Sequence, residues 1–235
     1  MKVGNKIIAH RGIFDNQTIP ENSIKAFQKA VDKKIPIELD VQLTKDDVLV
    51  VFHDDDLMRM TGQDGILQKK TYEEIKNYTL LDTKEKIPMF TEVLDLVQDK
   101  VFLDIEVKGT RRIKKTCDIL LKLLEGHSNY VIKSFHPGII RAIKKKRSDI
   151  EVGLLIPKKY DCNFIFNFFL QSRLLLKYSK ADFIAIQKSL IQKKKYQKLS
   201  KKYPVMLWTI KDYKDVDEED DYIYICNNLT LLDKQ

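Results

Sequence analysis

Residues 37–53 read IELDVQLTKDDVLVVFH, and the fold turns on how they pair. In a strand, successive side chains point to opposite faces. Glu38 and Asp40 therefore share one side, and Ile37, Leu39 and Val41 share the other. Two carboxylates on one face of an apolar strand repel each other and lose hydration unless something positive lies between them. A divalent cation or a Lys or Arg partner would each serve. The next apolar run, 48–52, follows too closely for a parallel crossover, which takes about a dozen residues. The stretch therefore predicts a hairpin turning at Asp46 and Asp47. Counting outward from that turn sets Lys45 against Val48, Thr44 against Leu49, and Asp40 against His53.

Around this hairpin, short β-rich runs alternate with helical patterns. Further strands are predicted at 6–9, 101–107, 130–135, 152–156, 183–186, 205–209 and 222–225. Ile24, Phe27, Ala30 and Val31 form one helical stripe, with Asn22 and Ser23 offering N-cap oxygens. Thr91 is read as the cap of a second helix carrying Val93, Leu94 and Val97. Others are expected at 72–77, 112–124, 139–146 and 190–201. Alternating strands and helices imply a largely parallel sheet with helices outside. About eight such units in 235 residues favour a closed α/β barrel of the TIM (β/α)8 kind over an open sheet. The chain is read as one catalytic barrel domain, 1–235, with a small insertion, 54–100, after the third strand.

The composition excludes several classes. Hydrophobic residues make up 43%, with only 8 Gly and 6 Pro, which argues against disorder. Cys117, Cys162 and Cys226 lack zinc-ligand or redox spacing, and a reducing, cytoplasmic setting is expected. No stretch reaches the ~18 apolar residues of a membrane span. The net charge of +8 is concentrated in lysine runs at 144–147 and 193–202, which read as outer helix faces. No nucleic-acid-binding pattern accompanies them. Residues 163–176, NFIFNFFLQSRLLL, read first as a buried helix and alternatively as an apolar lip for peripheral membrane contact. Oligomeric state is not legible.

The chemistry gathers at strand ends. In 102–109, FLDIEVKG, Asp104, Glu106 and Lys108 share a face. Glu106 supplies a third oxygen donor beside Glu38 and Asp40, and an all-oxygen set selects Mg²⁺ or Ca²⁺. Lys108 is placed to neutralise a phosphate. His10 and His53 each end an apolar strand and suit a general acid/base pair. Arg11 has the planar fork that matches phosphate oxygens. There is no GxSxG motif, and no cysteine lies beside a plausible base, so nucleophilic Ser or Cys catalysis has little support. Phosphodiester cleavage is the expectation.

HRG at 10–12, PENSIKAF at 20–27, the 37–57 block, DIEVK at 104–108, SF at 134–135 and LWT at 207–209 resemble the glycerophosphodiester phosphodiesterase family, on a phosphatidylinositol-phospholipase-C-like TIM barrel. The resemblance implies His10 and His53 as the acid/base pair, and Glu38, Asp40 and Glu106 as metal ligands. It implies phosphate contacts from Arg11 and Lys108, a place in the site for Glu21, and a pocket wall at Trp208. The implied substrate is a small glycerophosphodiester. A glycerophosphate polymer, a lysophospholipid, or an inactive phosphate- or membrane-binding barrel are the alternatives. Asp104 and the unit at 212–228, which ends CNN, depart from the family pattern.

Overall fold

Alternate residues of each strand divide the molecule into an inner and an outer core. The computed structural model describes residues 3, 5–158, 173–211, 215–217, 219–227 and 229. Its strands are β1 (Ile7–His10), β2 (Ile37–Leu43), β3 (Leu49–Val51), β4 (Leu103–Val107), β5 (Tyr130–Ser134), β6 (Val152–Ile156), β7 (Phe183–Gln187), β8 (Val205–Ile210) and β9 (Ile223–Cys226). The sheet runs β1-β9-β8-β7-β6-β5-β4-β2-β3, and β1 also pairs with β2, which closes it. Among the described residues, eight strands are parallel and make the barrel. β3 alone is antiparallel, hydrogen-bonded to the far end of β2.

The helices are α1 (Ile24–Asp32), α2 (Met58–Thr61), α3 (Tyr72–Ile75), α4 (Phe90–Val97), α5 (Ile113–Leu123), α6 (Pro137–Lys146), α7 (Arg173–Ser179) and α8 (Lys194–Ser200). All but α2 and α3 bury a stripe on the outer face of the strands, among Ile37, Leu39, Val41, Ile105, Ile132 and Ile184. Inward-pointing Ile8, Phe102, Val131, Leu155, Phe183, Met206 and Ile225 fill the barrel, as side-chain layers do in this architecture. Gly153 on β6 makes room there, since a Cβ would meet the Phe183 ring at 2.1 Å.

Most strand predictions hold to within one or two residues. The hairpin register does not. Val41 pairs with Val51, Gln42 with Val50 and Leu43 with Leu49, so the loop holds three residues rather than two. Thr44 N–H bonds to Val48 O at 2.9 Å, and Asp47 takes φ +69°. A three-residue loop closing through a left-handed residue shifts every pair by one. Asp40 accordingly faces Phe52, whose N–H reaches Asp40 O at 2.9 Å. Two helix ends also differ. α4 starts at Phe90, with Glu92 hydrogen-bonded back to Met89 N, rather than being capped by Thr91. The 190–201 helix is α8 alone, preceded by a 3-10 turn at Lys188–Leu190 and an extended Lys193.

Between β3 and β4, residues Leu57, Met60, Leu67, Ile75, Leu80 and Ile87 form a small core of their own with Val50 and Phe52. α4 belongs instead to the main outer core. The lysines at 145, 146 and 193–195 are exposed, as expected of outer helix faces. Residues 163–172 of the stretch read as a buried helix, or alternatively an apolar lip, lie outside the described residues; of its end, Leu174 is exposed and Leu176 buried.

Candidate active site

The C-terminal ends of the strands converge on a cavity of about 90 Å³. His10, Arg11, Glu38, His53, Glu106 and Lys133 supply its polar lining, with Phe135, Trp208 and Thr209 beside them. β2 and β4 lie side by side with Glu38 opposite Asp104 and Asp40 opposite Glu106. Their alternation sends all four carboxylates inward. Glu38, Asp40 and Glu106 each offer an oxygen within 4.8 Å of the others, and all three are buried.

Three cations share this acidic face. Lys108 Nζ lies 2.9 Å from Glu106 Oε1 and 3.5 Å from Asp40 Oδ1. Arg11 Nε lies 3.4 Å from Asp40 Oδ2 without hydrogen-bond geometry. Lys133, from β5, is buried with its ammonium 2.6 Å from Asp104 Oδ2 and 3.1 Å from Glu38 Oε1. Burial alone would raise the Asp40 carboxyl, but Lys108, His53, Arg11 and His10 outweigh it and hold Asp40 below the usual range. Burial pushes Glu106 up, with repulsion from Asp40 and Glu38 working against Lys108. By formal count four carboxylates, Glu38, Asp40, Asp104 and Glu106, face three cations, which leaves one negative charge in excess.

That charge, the all-oxygen donor set and an orphaned buried acceptor fit a hard divalent cation. The acceptor is Asn22 Oδ1, which has no partner although Asn22 Nδ2 donates to Asp40 Oδ2 at 3.0 Å. Asn22 was read from the sequence as a cap candidate. The cap is Ser23, whose Oγ accepts from Ala26 N at 3.1 Å.

The two histidines approach by different routes. His10 is the last residue of β1, and its Nδ1 is hydrogen-bonded to Asn227 Oδ1 just past β9. Its Nε2 lies 3.8 Å from Glu38 Oε2. Burial lowers its pKa. Arg11 follows in a left-handed conformation, φ +56°, and Gly12 at φ +81°. A Cβ on Gly12 would meet the backbone of Ala26 at 2.9 Å. This tight turn aims the Arg11 N–H at Glu38 Oε2, 3.2 Å away.

His53 lies beyond the end of β3, so strand alternation does not set its direction. The buried amide of Gln42 grips the backbone carbonyls of Phe52, His53 and Asp54 at 3.0, 3.3 and 2.8 Å. His53 Nδ1 meets Asp54 Oδ1 at 2.6 Å. Glu21 pairs with Arg11 at 2.7 Å and with Arg59 at 2.7 Å. Burial would raise the Glu21 carboxyl, but Arg59, Arg11 and Asn16 outweigh it and hold it at about 2. Trp208 stacks edge-on against Phe135, centroids 5.5 Å apart, and its indole N–H has no acceptor.

The structure thus brings His10, His53, Glu38, Glu106, Arg11 and Trp208 to one cavity. Asp40 and Lys108 lie beside it, and Glu21 behind Arg11. Lys133, Gln42, Asp54, Arg59 and Asn227 complete the surroundings and were not assigned from the sequence. Asp104 sits level with Glu38, its neighbour across the strands, and is paired with Lys133.

Residues 10–230 match the Glycerophosphoryl diester phosphodiesterase family. A glycerophosphodiester phosphodiesterase of Caldanaerobacter subterraneus is 37% identical over 174 residues, 68% of each chain. Among solved structures, a glycerophosphodiester phosphodiesterase from Thermotoga maritima superposes with a TM-score of 0.74 at 26% identity, covering 97% of this chain and 96% of that one. An Oleispira antarctica phosphodiesterase, solved with its product sn-glycerol-3-phosphate, superposes at 0.78 and 22% identity, covering 98% and 96%.

Proposed function

The chain belongs to the glycerophosphoryl diester phosphodiesterase family and is a phosphoric diester hydrolase; from that premise we propose that it converts small glycerophosphodiesters to glycerol 3-phosphate and an alcohol. The supporting observation is the convergence of His10 and His53 with three clustered carboxylates on one cavity.

Glu38, Asp40 and Glu106 would hold Mg²⁺ or Ca²⁺. Such a cation, when bound, supplies electrostatic stabilisation of phosphate and hydroxyl oxygens. The described lining holds no serine or cysteine; in this reading the attacking oxygen is water's, or the substrate's own hydroxyl forms a cyclic phosphate that water then opens to glycerol 3-phosphate. The Asn227 carbonyl oxygen can only accept, so His10 Nδ1 carries a hydrogen and Nε2 is left with a lone pair. Buried and neutral, His10 takes the attacking hydroxyl's proton. His53, entering as the imidazolium with its Nδ1–H on Asp54, gives its Nε2 proton to the leaving alcohol. Arg11 and Lys108 face the phosphate, and the edge of Trp208 bounds the glycerol side.

A single barrel spanning 1–235, with 54–100 inserted, is part of this reading. So is a reducing, cytoplasmic setting, which the free, buried thiols of Cys117 and Cys226 support. No helix among the described residues is long and apolar enough to cross a membrane.

The test is release of glycerol 3-phosphate from glycerophosphocholine and glycerophosphoethanolamine. It is run with Mg²⁺, with Ca²⁺, with chelator, and with His10→Ala. Metal-dependent release that is lost in the variant is expected. Folded protein that releases nothing from any small diester would sink the proposal and turn attention to a glycerophosphate polymer or lysophospholipid. Salt-dependent phosphate binding without turnover would indicate an inactive barrel.

A further inference from the structure

A guanidinium outside the cavity lining ties two of the lining residues, His53 and Arg11, together through their carboxylate partners. Arg59, on α2 of the inserted segment, donates Nε to Asp54 Oδ2 at 2.5 Å and Nη2 to Asp54 Oδ1 at 3.0 Å. The same group reaches Glu21 twice, from Nη2 to Oε1 at 2.7 Å and from Nη1 to Oε2 at 3.3 Å. Asp54 Oδ1 also meets His53 Nδ1, and Glu21 Oε1 also accepts from Arg11 Nη1. The result is an unbroken chain, His53–Asp54–Arg59–Glu21–Arg11.

We propose that Arg59 is a positioning residue of the reaction, forking between Asp54 and Glu21 so that His53 keeps one tautomer and one orientation relative to Arg11. This rests on the reading of His53 as a catalytic group. Both Asp54 oxygens are committed to the planar fork, so the carboxylate cannot rotate without losing two charge-assisted bonds. It therefore accepts the Nδ1 hydrogen in a fixed direction and leaves Nε2 facing the cavity. Asp54 orients the ring and does not take its proton. Only Arg has a rigid fork able to serve two carboxylates at once; a lysine ammonium is a point charge on a flexible stem. The inserted segment contributes to the reaction in this way without lining the cavity.

The experiment compares wild type with Arg59→Met, Arg59→Lys, His53→Ala and the double variant His53→Ala/Arg59→Met. It uses steady-state kinetics on glycerophosphocholine, with thermal unfolding to check folding. Loss of ring position is expected to lower kcat on the order of 100-fold in Arg59→Met, with KM changed less than about threefold. Arg59→Lys should recover only part of the loss, and Arg59→Met should add nothing in the His53→Ala background. ¹⁵N shifts of the neutral His53 ring, the form left after proton donation, should show the Nδ1–H tautomer alone in wild type and a mixture in Arg59→Met. A rise in KM alone, an unchanged kcat, or an additive loss in the double variant would each overturn the proposal. If His53→Ala itself retains wild-type kcat, the underlying assignment of His53 has failed, and the proposal with it. Should Arg59→Met not fold, Arg59→Lys carries the same kinetic and NMR comparison.

Discussion

Lys133 donates to Asp104 at 2.6 Å across adjacent strands, and both side chains are shut off from solvent. Burial would lower the Lys133 ammonium, but Asp104, Glu38 and Glu106 outweigh it and raise it. Burial pushes Asp104 up to about 7. Removing one partner of such a pair leaves an uncompensated buried charge, whereas replacing both with apolar groups is often tolerated. Lys133→Met should therefore cost about 3–5 kcal/mol in urea unfolding. Lys133→Met/Asp104→Leu should cost clearly less than the single change. A double variant as unstable as the sum of its parts would show that the pair is not coupled.

Glu21 makes stability depend on acid pH. Its folded pKa is about 2, against an ordinary value of 4.5. A depressed carboxylate contributes stability that is fully present above the unfolded pKa and is lost as pH falls through the folded one. The window therefore runs from about pH 5 to pH 2. By linkage the contribution is on the order of 3 kcal/mol at neutral pH. Urea titrations at pH 7, 4 and 3 should show wild type exceeding Glu21→Gln by a margin that narrows with each step. A margin constant from pH 7 to pH 3 would be inconsistent with the Arg11 and Arg59 pairing.

The carboxylate cluster predicts a binding event that needs no turnover to detect. Calorimetric titration of chelator-treated protein should show one site for Mg²⁺ or Ca²⁺ per chain. Saturating ion at about 100 times Kd should stabilise the fold by about 2.7 kcal/mol. Glu106→Gln should weaken binding at least tenfold, because it removes one of the three charged oxygen donors. Equal affinity in wild type and Glu106→Gln would remove Glu106 from the ligand set.

The barrel was legible because apolar runs on parallel strands are nearly continuous and helical stripes lie between them. The three clustered acids were legible because period-two alternation in 37–41 and 103–107 leaves no choice of face. What alternation cannot set is the pairing of two strands, and there the reading slipped. Asp47 adopts a left-handed backbone without being glycine, so the three-residue loop carried no glycine signal. The slip did not misplace His53, since Gln42 rather than the ladder holds its backbone. Lys133 left a signal that went unused: a lysine at an inward position of the strand VIKSF needs a buried acid. Arg59 and Asn227 left none, because Glu21 lies 38 residues from the one and His10 217 from the other, and both are brought close only by tertiary folding.

The bond between His10 and Asn227 joins the first strand of the barrel to the residue just past β9. During synthesis the histidine leaves the ribosome more than two hundred residues ahead of the amide that fixes its ring. A nascent chain holding seven strands has every proposed metal-binding acid and both histidines, yet His10 has no fixed tautomer until β9 slots between β8 and β1. Catalytic competence is therefore among the last properties the growing chain acquires, and an incomplete translation product would be inert.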